Sequence, residues 1–450
     1  MYLTSFVHRE KLFKLTERWL CGRLAPGDGL DITRILICDG FVLGEALEFV
    51  TKRLLSWIYE GPVNQQRIRV KGQLREVLCR AGVHEPDPRV KALIRLYESN
   101  PDYYYREAPI NGMLCLNERG RLLGVFRIKR PRRIAEKANR YIANWIFKMV
   151  QNRARRMAED RAHRLGIPVD RLLTPEKEML REFVDAEEAI ARRFSEGDIE
   201  LDRASMTIHD VGGIKIVADP ERLSRVETML AQDPRVRVVD KENYRGDYRA
   251  TSLILEARWN REDICSRYVA ARGWERYRNR GIPEEELRKG LSSFMEEAEP
   301  TLRLELILST FPDMVESELG ESIHEKRIIA QRDNRIFKGN IPMNVEFLIE
   351  YLFAVGFSPQ VHVERLPIKL WGRYLPDTVI GCIRNLYSIP EDDLVHRMDE
   401  VSGLISSRRS AARFEGALTA EGLKPHTSTG SGASSCITAS AIRQRWAGRR

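Results

Sequence analysis

The sequence lacks paired cysteine motifs, long apolar runs and a signal peptide. Its seven cysteines are scattered over 450 residues and form no Cys-x-x-Cys pair, which argues against zinc ribbons and disulfide scaffolds and for a reducing compartment. No run of about 18 uncharged apolar residues is present, so no membrane span is predicted. The N-terminal residues lack the basic-then-apolar order of a signal peptide. These absences predict a cytoplasmic protein with no membrane partner.

Positive charge is in excess, and it is concentrated in one stretch. The formal net charge is +9, from 74 Lys/Arg and 65 Asp/Glu. Between Arg127 and Arg164 there are thirteen Lys/Arg and three Asp/Glu, so the rest of the chain is nearly neutral. Such a stretch attracts nucleotides or RNA, although a solvated helix face is an equally good explanation of a basic run.

The length of the chain indicates more than one structural unit, because a single hydrophobic core stops growing below 450 residues. Periodicity and composition divide the chain into regions with different patterns. The predicted regions are a mostly helical N-terminal region of unknown role (1–115), a mixed region (116–335) with helical inserts at about 138–205 and 261–299, a small helical unit (336–405) and a low-complexity, disordered tail (406–450).

The alternation between strand-like and helical segments predicts the fold class. Short apolar segments bounded by turn residues are typical of strands, and Pro or Thr before a helical period marks helix starts. Strands and helices in this order indicate an α/β (α+β) fold, in which a mixed β-sheet is flanked by helices. The predicted strands are 112–116, 122–126, 211–217, 236–240, 251–257 and 302–308, and the predicted helices between and after them include 220–232 and 312–330.

Two carboxylates interrupt the apolar strand segments. Asp210 directly precedes the segment 211–217, and Glu305 lies within 302–308. A carboxylate in such a position costs several kcal/mol to desolvate unless a cation or a hydrogen-bond donor compensates it. Two carboxylates from separate strands can converge on one Mg²⁺, which neutralises a transferring phosphate chain. The Arg/Lys cluster at 127–137 can supply the phosphate clamp, although an Asp before a strand is also a common turn residue.

Four segments together resemble the synthetase domain of the RelA/SpoT family of alarmone synthetases. The first is Arg127-Ile-Lys129-Arg-Pro-Arg-Arg133-Ile-Ala-Glu-Lys137. It is similar to the family's phosphate-binding pattern Arg-x-Lys-x-x-x-Ser-Ile-x-x-Lys, with Arg133 in the place of the Ser. Cations spaced in this way on a loop that enters a helix can grip a triphosphate from several sides. The resemblance assigns Arg127, Lys129 and Lys137 to the phosphates of ATP.

The second and third segments match the family in part. Asp210-Val-Gly-Gly213-Ile-Lys215-Ile is similar to Asp-x-x-Gly-x-Arg-x, with Lys where the family has Arg. The resemblance assigns Mg²⁺ to Asp210 and a substrate contact to Lys215. The segment Tyr248-Arg249-Ala-Thr-Ser resembles Tyr-Arg-Ser-x-His, whose tyrosine stacks on the guanine of the acceptor nucleotide. Tyr248 inherits that role, with Arg249 beside it as a further substrate-binding residue.

The fourth segment is the most specific one. Glu305-Leu-Ile-Leu-Ser309-Thr resembles Glu-x-Gln-Ile-Arg-Thr, and Glu318, Gly320 and His324 follow at the family's spacing without a gap. The family's glutamate approaches the acceptor 3′-hydroxyl and helps the metal site. The resemblance therefore assigns catalysis and Mg²⁺ to Glu305 and substrate binding to His324. Glu318 and His324 can equally be ordinary helix-surface residues.

The order of the four segments matches the family over about 120–330 and implies a nucleotidyltransferase-like fold. The implied activity is that of a synthetase-only, GTP diphosphokinase-like enzyme of the stringent response, because no segment resembles the family's hydrolase half with its His-Asp metal dyad. Such an enzyme transfers pyrophosphate from ATP to the 3′-hydroxyl of GDP or GTP with Mg²⁺, making (p)ppGpp. Two alternatives stay open: toxin-like pyrophosphorylation of the tRNA 3′ end, and a catalytically degenerate nucleotide- or RNA-binding module.

Overall fold

A mixed sheet of seven strands forms the centre of the computed structural model, which describes residues 1–82, 87–173, 175–245, 249–320 and 340–388. The strands of the described residues are β1 (Tyr2–Leu3), β2 (Asn64–Val70), β3 (Pro109–Leu116), β4 (Leu122–Ile128), β5 (Thr207–Ile208), β6 (Gly212–Val217), β7 (Val236–Tyr244), β8 (Ala250–Arg258) and β9 (Thr301–Ser309). The order across the main sheet is β2-β3-β4-β6-β9-β8-β7, and β1 pairs with β5. Strands β6 and β9 are parallel, whereas the other neighbouring pairs of the main sheet are antiparallel.

Helices pack on both faces of the main sheet, which confirms the predicted α+β class with a mixed sheet. The α-helices of the described residues are α1 (Arg9–Leu20), α2 (Asp28–Ser56), α3 (Lys71–Gly82), α4 (Pro88–Ser99), α5 (Pro131–Leu165), α6 (Glu176–Glu196), α7 (Pro220–Gln232), α8 (Arg261–Ala271), α9 (Glu284–Phe294), α10 (Phe311–Leu319), α11 (Asn340–Phe357) and α12 (Pro376–Leu386). Among the described residues, no helix is both long enough and apolar enough to cross a bilayer.

Strand side chains alternate between two hydrophobic cores, because successive residues of a strand point to opposite faces. Phe126 and Ile214 belong to the larger core, which α1, α2, α5 and α11 also line. Val125 and Val217 belong to the smaller core on the opposite face, together with α3, α4 and α10. The smaller core covers the β2–β4 side of the sheet and ends beside β6, so polar strand residues further along that face are free to line a site.

Local start signals position the helices where the sequence predicts them. Helix α7 has the predicted bounds, and the Asp219 side chain accepts a hydrogen bond from the Arg222 backbone N at 2.9 Å. Thr310 caps α10 as predicted, by accepting from the Asp313 backbone N at 3.4 Å. Helix α10 ends at Leu319 instead of continuing to 330, and most of the predicted remainder lies outside the described residues.

Strand β2 is the main element that the sequence patterns missed. Residues 1–100 were predicted as mostly helical, yet β2 pairs antiparallel with β3 at the edge of the sheet. Ile68 is its one fully buried side chain, and Arg67 and Arg69 flank it. An edge strand of this kind presents polar residues to solvent and carries no apolar alternation that a sequence pattern could detect.

The described residues belong to one compact unit, Met1–Pro390. Helices α1, α2 and α11 share the larger core with the sheet, so the regions assigned to 1–115 and 336–405 pack against the mixed region. The boundaries at 115 and 335 stay predictions. The predicted disordered tail, 406–450, lies outside the described residues.

A buried ion pair fastens the N-terminal segment to the rest of the fold. His8 Nδ1 lies 2.6 Å from Asp39 Oδ1, and the His8 backbone N donates to Asp39 Oδ2 at 2.8 Å. His8 Nε2 lies 2.8 Å from the carbonyl oxygen of Phe294. Both ring nitrogens face acceptors, and this arrangement favours the protonated imidazolium form of His8. Burial opposes this charge, but the hydrogen bond to Asp39 and its charge raise the pKa of His8 above its usual value.

This pair predicts a pH-dependent stability difference between the wild type and His8→Gln. A raised folded-state pKa contributes stability that is fully present below the unfolded-state value of about 6.5 and is lost as the pH rises through the folded-state pKa. Urea denaturation of both proteins should therefore show the largest wild-type advantage at pH 6 and below, about 3 kcal/mol, and a shrinking advantage above it. A difference that stays constant between pH 5 and 9 would contradict the charged pair.

Candidate active site

The candidate site lies where β4 ends and β6 begins, in the centre of the main sheet. Three side chains meet there: Lys129, Lys137 and Asp210. Lys129 directly follows β4, and its backbone N donates to the Val211 carbonyl oxygen at 2.8 Å, which fixes the end of β4 beside the start of β6. Helix α5 begins at Pro131, and Lys137 lies in its second turn. The insert formed by α5 and α6 separates Lys137 from Asp210 in the sequence, but the chain returns to the same point of the sheet.

The Asp210 carboxylate is held through one oxygen. Oδ2 accepts hydrogen bonds from Lys129 Nζ and, at 2.5 Å, from Lys137 Nζ. Oδ1 is buried and has no hydrogen-bond partner among the described residues. Burial opposes the charge on Asp210, but the two ammonium groups hold the pKa of its carboxyl well below the usual range. Burial also lowers the pKa of Lys129, against the attraction of Asp210 and Glu305.

Arg127, Gly213 and Glu305 form a row across three neighbouring strands. Arg127 pairs with Gly213 between β4 and β6, and Gly213 pairs with Glu305 between β6 and β9. Directly paired residues share one face of a sheet, so Gly213 leaves a gap between the two charged side chains. A Cβ atom at Gly213 would lie 3.5 Å from Glu305 Oε2. Among the described residues, the Glu305 carboxylate forms no ion pair.

Lys215 lies on the same face but is buried against α10. Its side chain is 6% exposed, and Nζ lies 3.7 Å from Glu318 Oε1. Burial lowers the pKa of Lys215 to about 8, although the charge of Glu318 opposes that shift. Glu318 itself is 2% exposed, so it is not a helix-surface residue. A pocket beside Lys215, which Arg127 and Glu305 also line, has a volume of about 20 Å³, which is room for roughly one water molecule.

Three further residues beside Asp210 belong to no motif, and the sequence patterns missed them: Arg303, His209 and Thr4. Arg303 precedes Glu305 by two residues on β9 and therefore lies on the same face. Its Nη1 lies 3.4 Å from His209 Nδ1, which is also 2.9 Å from Thr4 Oγ1. Burial, and then the charge of Arg303, lower the pKa of His209. The position of Arg303 two residues before Glu305 in a strand is a signal that could have indicated it, whereas nothing in the sequence indicates that Thr4 lies nearby.

Of the residues assigned to the acceptor nucleotide, Arg249 belongs to the described residues, and it does not join this cluster. Tyr248 and His324 lie outside the described residues. Arg249 is exposed and precedes β8, in which Ile254 pairs with Glu305. With a rise of about 3.3 Å per strand residue, Arg249 lies about 16 Å from Glu305 along β8. It also lies toward the opposite end of the strands from Asp210, because β8 and β9 are antiparallel.

The residues present fit a Mg²⁺ ion that is held largely by a ligand. Within the described ranges, no three His, Cys, Asp or Glu side chains are grouped to bind a metal by themselves. Mg²⁺ keeps several waters and is commonly bound through one or two carboxylates and substrate phosphates. The unpartnered Oδ1 of Asp210 and the unpaired carboxylate of Glu305 match this donor set.

Comparisons with known proteins give little further information. No protein-family model matches the chain, and no curated protein matches it. Among solved structures, the chain is similar to the crystal structure of the small alarmone synthetase 1 from Bacillus subtilis, at 14% sequence identity over 75% of this chain and 98% of that chain. The TM-score is 0.19, and at this value the likeness carries no argument about the fold or the site.

Proposed function

We propose that this protein is an ATP-dependent pyrophosphotransferase, a divergent synthetase-only relative of the RelA/SpoT enzymes that makes (p)ppGpp from GDP or GTP. The observation that carries the proposal is the meeting of Lys129, Lys137 and Asp210 beside the row formed by Arg127, Gly213 and Glu305. These residues come from three separate motifs of the proposed family pattern. Cations and carboxylates arranged together suit a phosphate chain with a bound divalent ion.

In the proposed reaction, the acceptor 3′-hydroxyl attacks the β-phosphorus of ATP. A new O–P bond forms between the acceptor oxygen and the β-phosphorus. The bond between the β-phosphorus and the oxygen that bridges it to the α-phosphorus breaks, and AMP leaves with that oxygen. Arg127, Lys129 and Lys137 bind the phosphates and spread their negative charge, which is most of what phosphoryl transfer requires. Lys215 lies on the same face as Arg127, and its ion pair with Glu318 links β6 to α10.

Asp210 and Glu305 have separate roles in this proposal. Asp210 would hold Mg²⁺ through its unpartnered Oδ1, and Glu305 accepts the proton of the acceptor hydroxyl and passes it to solvent. Mg²⁺, when bound, would supply charge neutralisation of the phosphate chain. Tyr248, Arg249 and His324 are proposed to bind the acceptor nucleotide, and their support is the motif alone.

A second candidate function keeps the chemistry and changes the acceptor to the 3′ end of tRNA. Helix α5 leads away from the site, and Lys148, Arg153 and Arg156 are exposed along it. Exposed cations on a helix that starts at the active site suit an RNA backbone. A degenerate binding module is the third candidate, since Arg133, Ser252 and Ser309 replace the family's Ser, His and Arg.

One experiment distinguishes these functions. Purified protein is incubated with Mg²⁺ and ATP labelled on the γ-phosphate, and GDP, GTP and deacylated tRNA are offered in parallel reactions. Label on a guanosine nucleotide supports the main proposal, and label on tRNA supports the second. If no acceptor is labelled but the protein still binds ATP, the result supports the third candidate, a degenerate binding module.

Two neighbouring glycines allow a matched test of the gap between Arg127 and Glu305. Gly213→Val should fill this gap and reduce transfer at least about tenfold, because small displacements of reacting groups are costly. Its stability to urea should change by less than about 1 kcal/mol, since valine suits a strand. Gly212 points to the opposite face, where a Cβ atom would lie 2.6 Å from Leu43 Cδ1. Gly212→Ala should therefore lose about 1–2 kcal/mol of stability while its folded fraction keeps activity. Full activity in Gly213→Val would contradict the role of the gap.

A further inference from the structure

The two lysines proposed to bind phosphate are engaged with the carboxylate proposed to bind metal. Lys129 Nζ and Lys137 Nζ both donate to the same oxygen of Asp210, and the three side chains are only 15–21% exposed. Oδ1, the other oxygen, is buried without a partner among the described residues. Two ammonium groups thus neutralise the Asp210 carboxylate, and its Oδ1 remains available as a ligand.

This arrangement disfavours a divalent cation that arrives alone. A cation at Oδ1 would stand beside two ammonium groups that are already bound to the same carboxylate. Charges in a partly buried site are screened less than in bulk water, so their repulsion weakens the binding of the cation. The attraction of Asp210 for the cation is also reduced, since both lysines neutralise it. Glu305 offsets one of the two positive charges only from the neighbouring strand.

A polyphosphate chain reverses this balance. It offers several anionic oxygens to Lys129 and Lys137, each of which carries its ammonium on a flexible four-carbon stem that can turn from one acceptor to another. When the lysines turn to the phosphates, Asp210 loses its two partners and becomes an unpaired anionic ligand in a partly buried site. Leaving a buried charge unpaired is costly, so a cation is then bound strongly.

We infer that Lys129 and Lys137 form a switch on Asp210, by which polyphosphate binding and divalent-cation binding strengthen each other. This inference rests on the proposed function, because it takes ATP phosphates as the anion that draws the lysines away. The coupling is reciprocal: removing a lysine strengthens the binding of the cation alone, and removing the carboxylate strengthens the binding of the metal-free polyphosphate. The site thus binds a divalent cation alone or a polyphosphate alone weakly, and it binds the two together more strongly.

The first test measures Mn²⁺ binding to the full chain without nucleotide, by the electron paramagnetic resonance signal of free Mn²⁺. Lys137→Gln should bind Mn²⁺ about tenfold more tightly than the wild type, since one nearby positive charge is gone and Asp210 is half released. The double variant Lys137→Gln with Asp210→Asn should lose this gain. Lys148→Gln removes the same charge from an exposed position of the same helix and should change the affinity less than twofold. Equal Mn²⁺ affinities in the wild type and Lys137→Gln would overturn the switch.

The second test measures ATP binding by calorimetry in excess EDTA. Asp210→Asn should bind metal-free ATP about tenfold more tightly than the wild type, because the lysines no longer have a competing carboxylate. Unchanged or weaker binding by this variant contradicts the inference. Neither binding test requires turnover. If the protein transfers pyrophosphate but these affinity changes are absent, the switch is wrong and the proposed function stands. If the affinity changes are present but no transfer occurs, the switch stands and the proposed function is wrong.

Discussion

Asp210→Asn is expected to reduce pyrophosphoryl transfer by a factor of about 10³ or more, the largest loss expected from any single change in this chain. The amide has the shape of the carboxylate but no charge, so it binds a divalent ion poorly. It also no longer competes for Lys129 and Lys137. ATP binding in the absence of metal should therefore survive in the variant, and the defect should appear in the Mg²⁺ dependence of transfer and in kcat.

The variant should remain folded. Asp210 lies just before β6, and the substitution weakens its contacts with Lys129 and Lys137, whose side chains are about 20% exposed. The expected loss of stability is about 1–3 kcal/mol, which circular dichroism and urea denaturation can measure. Asp219→Asn is a matched control, because it removes the same charge nine residues later, and Asn caps a helix as well as Asp does. Normal transfer by Asp210→Asn would show that this carboxylate is not a metal ligand.

The sheet and several helices were accessible from the sequence for physical reasons. The hairpin of β3 and β4 and the strand β6 are buried on at least one face, so their apolar patterns are strong. Helix α7 has a capping Asp219 and a Pro at its first position, which fix its start. The edge strand β2 was not accessible, because only Ile68 among its residues is fully buried.

The residues of the candidate site could be predicted from the sequence, but their arrangement in space could not. The motifs indicated Lys137 and Asp210, but only the tertiary packing of α5 and α6 brings these two residues together. The sequence suggested the helix surface as an alternative for Glu318, and the fold buries it beside Lys215. Arg303 was missed since its role depends on a neighbour, His209, that precedes a different strand.

Glu305→Gln is expected to be the second most damaging change, with a loss of about 10²–10³ in kcat and little change in the affinity for ATP. Glu305 lies across Gly213 from Arg127, in the middle of β9. It forms no ion pair among the described residues, so glutamine can replace it without breaking a structural contact. The stability to urea should stay within about 1 kcal/mol of the wild type.

The pattern of kinetic effects separates Glu305 from Asp210. If Glu305 accepts the proton of the acceptor hydroxyl, Glu305→Gln should lower kcat while its Mg²⁺ dependence shifts less than that of Asp210→Asn. Asp210→Asn should shift the Mg²⁺ dependence strongly in addition to lowering kcat. Glu221→Gln, on the exposed first turn of α7, makes the same chemical change away from the sheet and should have wild-type kinetics. If Glu305→Gln and Asp210→Asn shift only the Mg²⁺ dependence, and by similar amounts, both carboxylates act as metal ligands and the proton acceptor must be sought elsewhere.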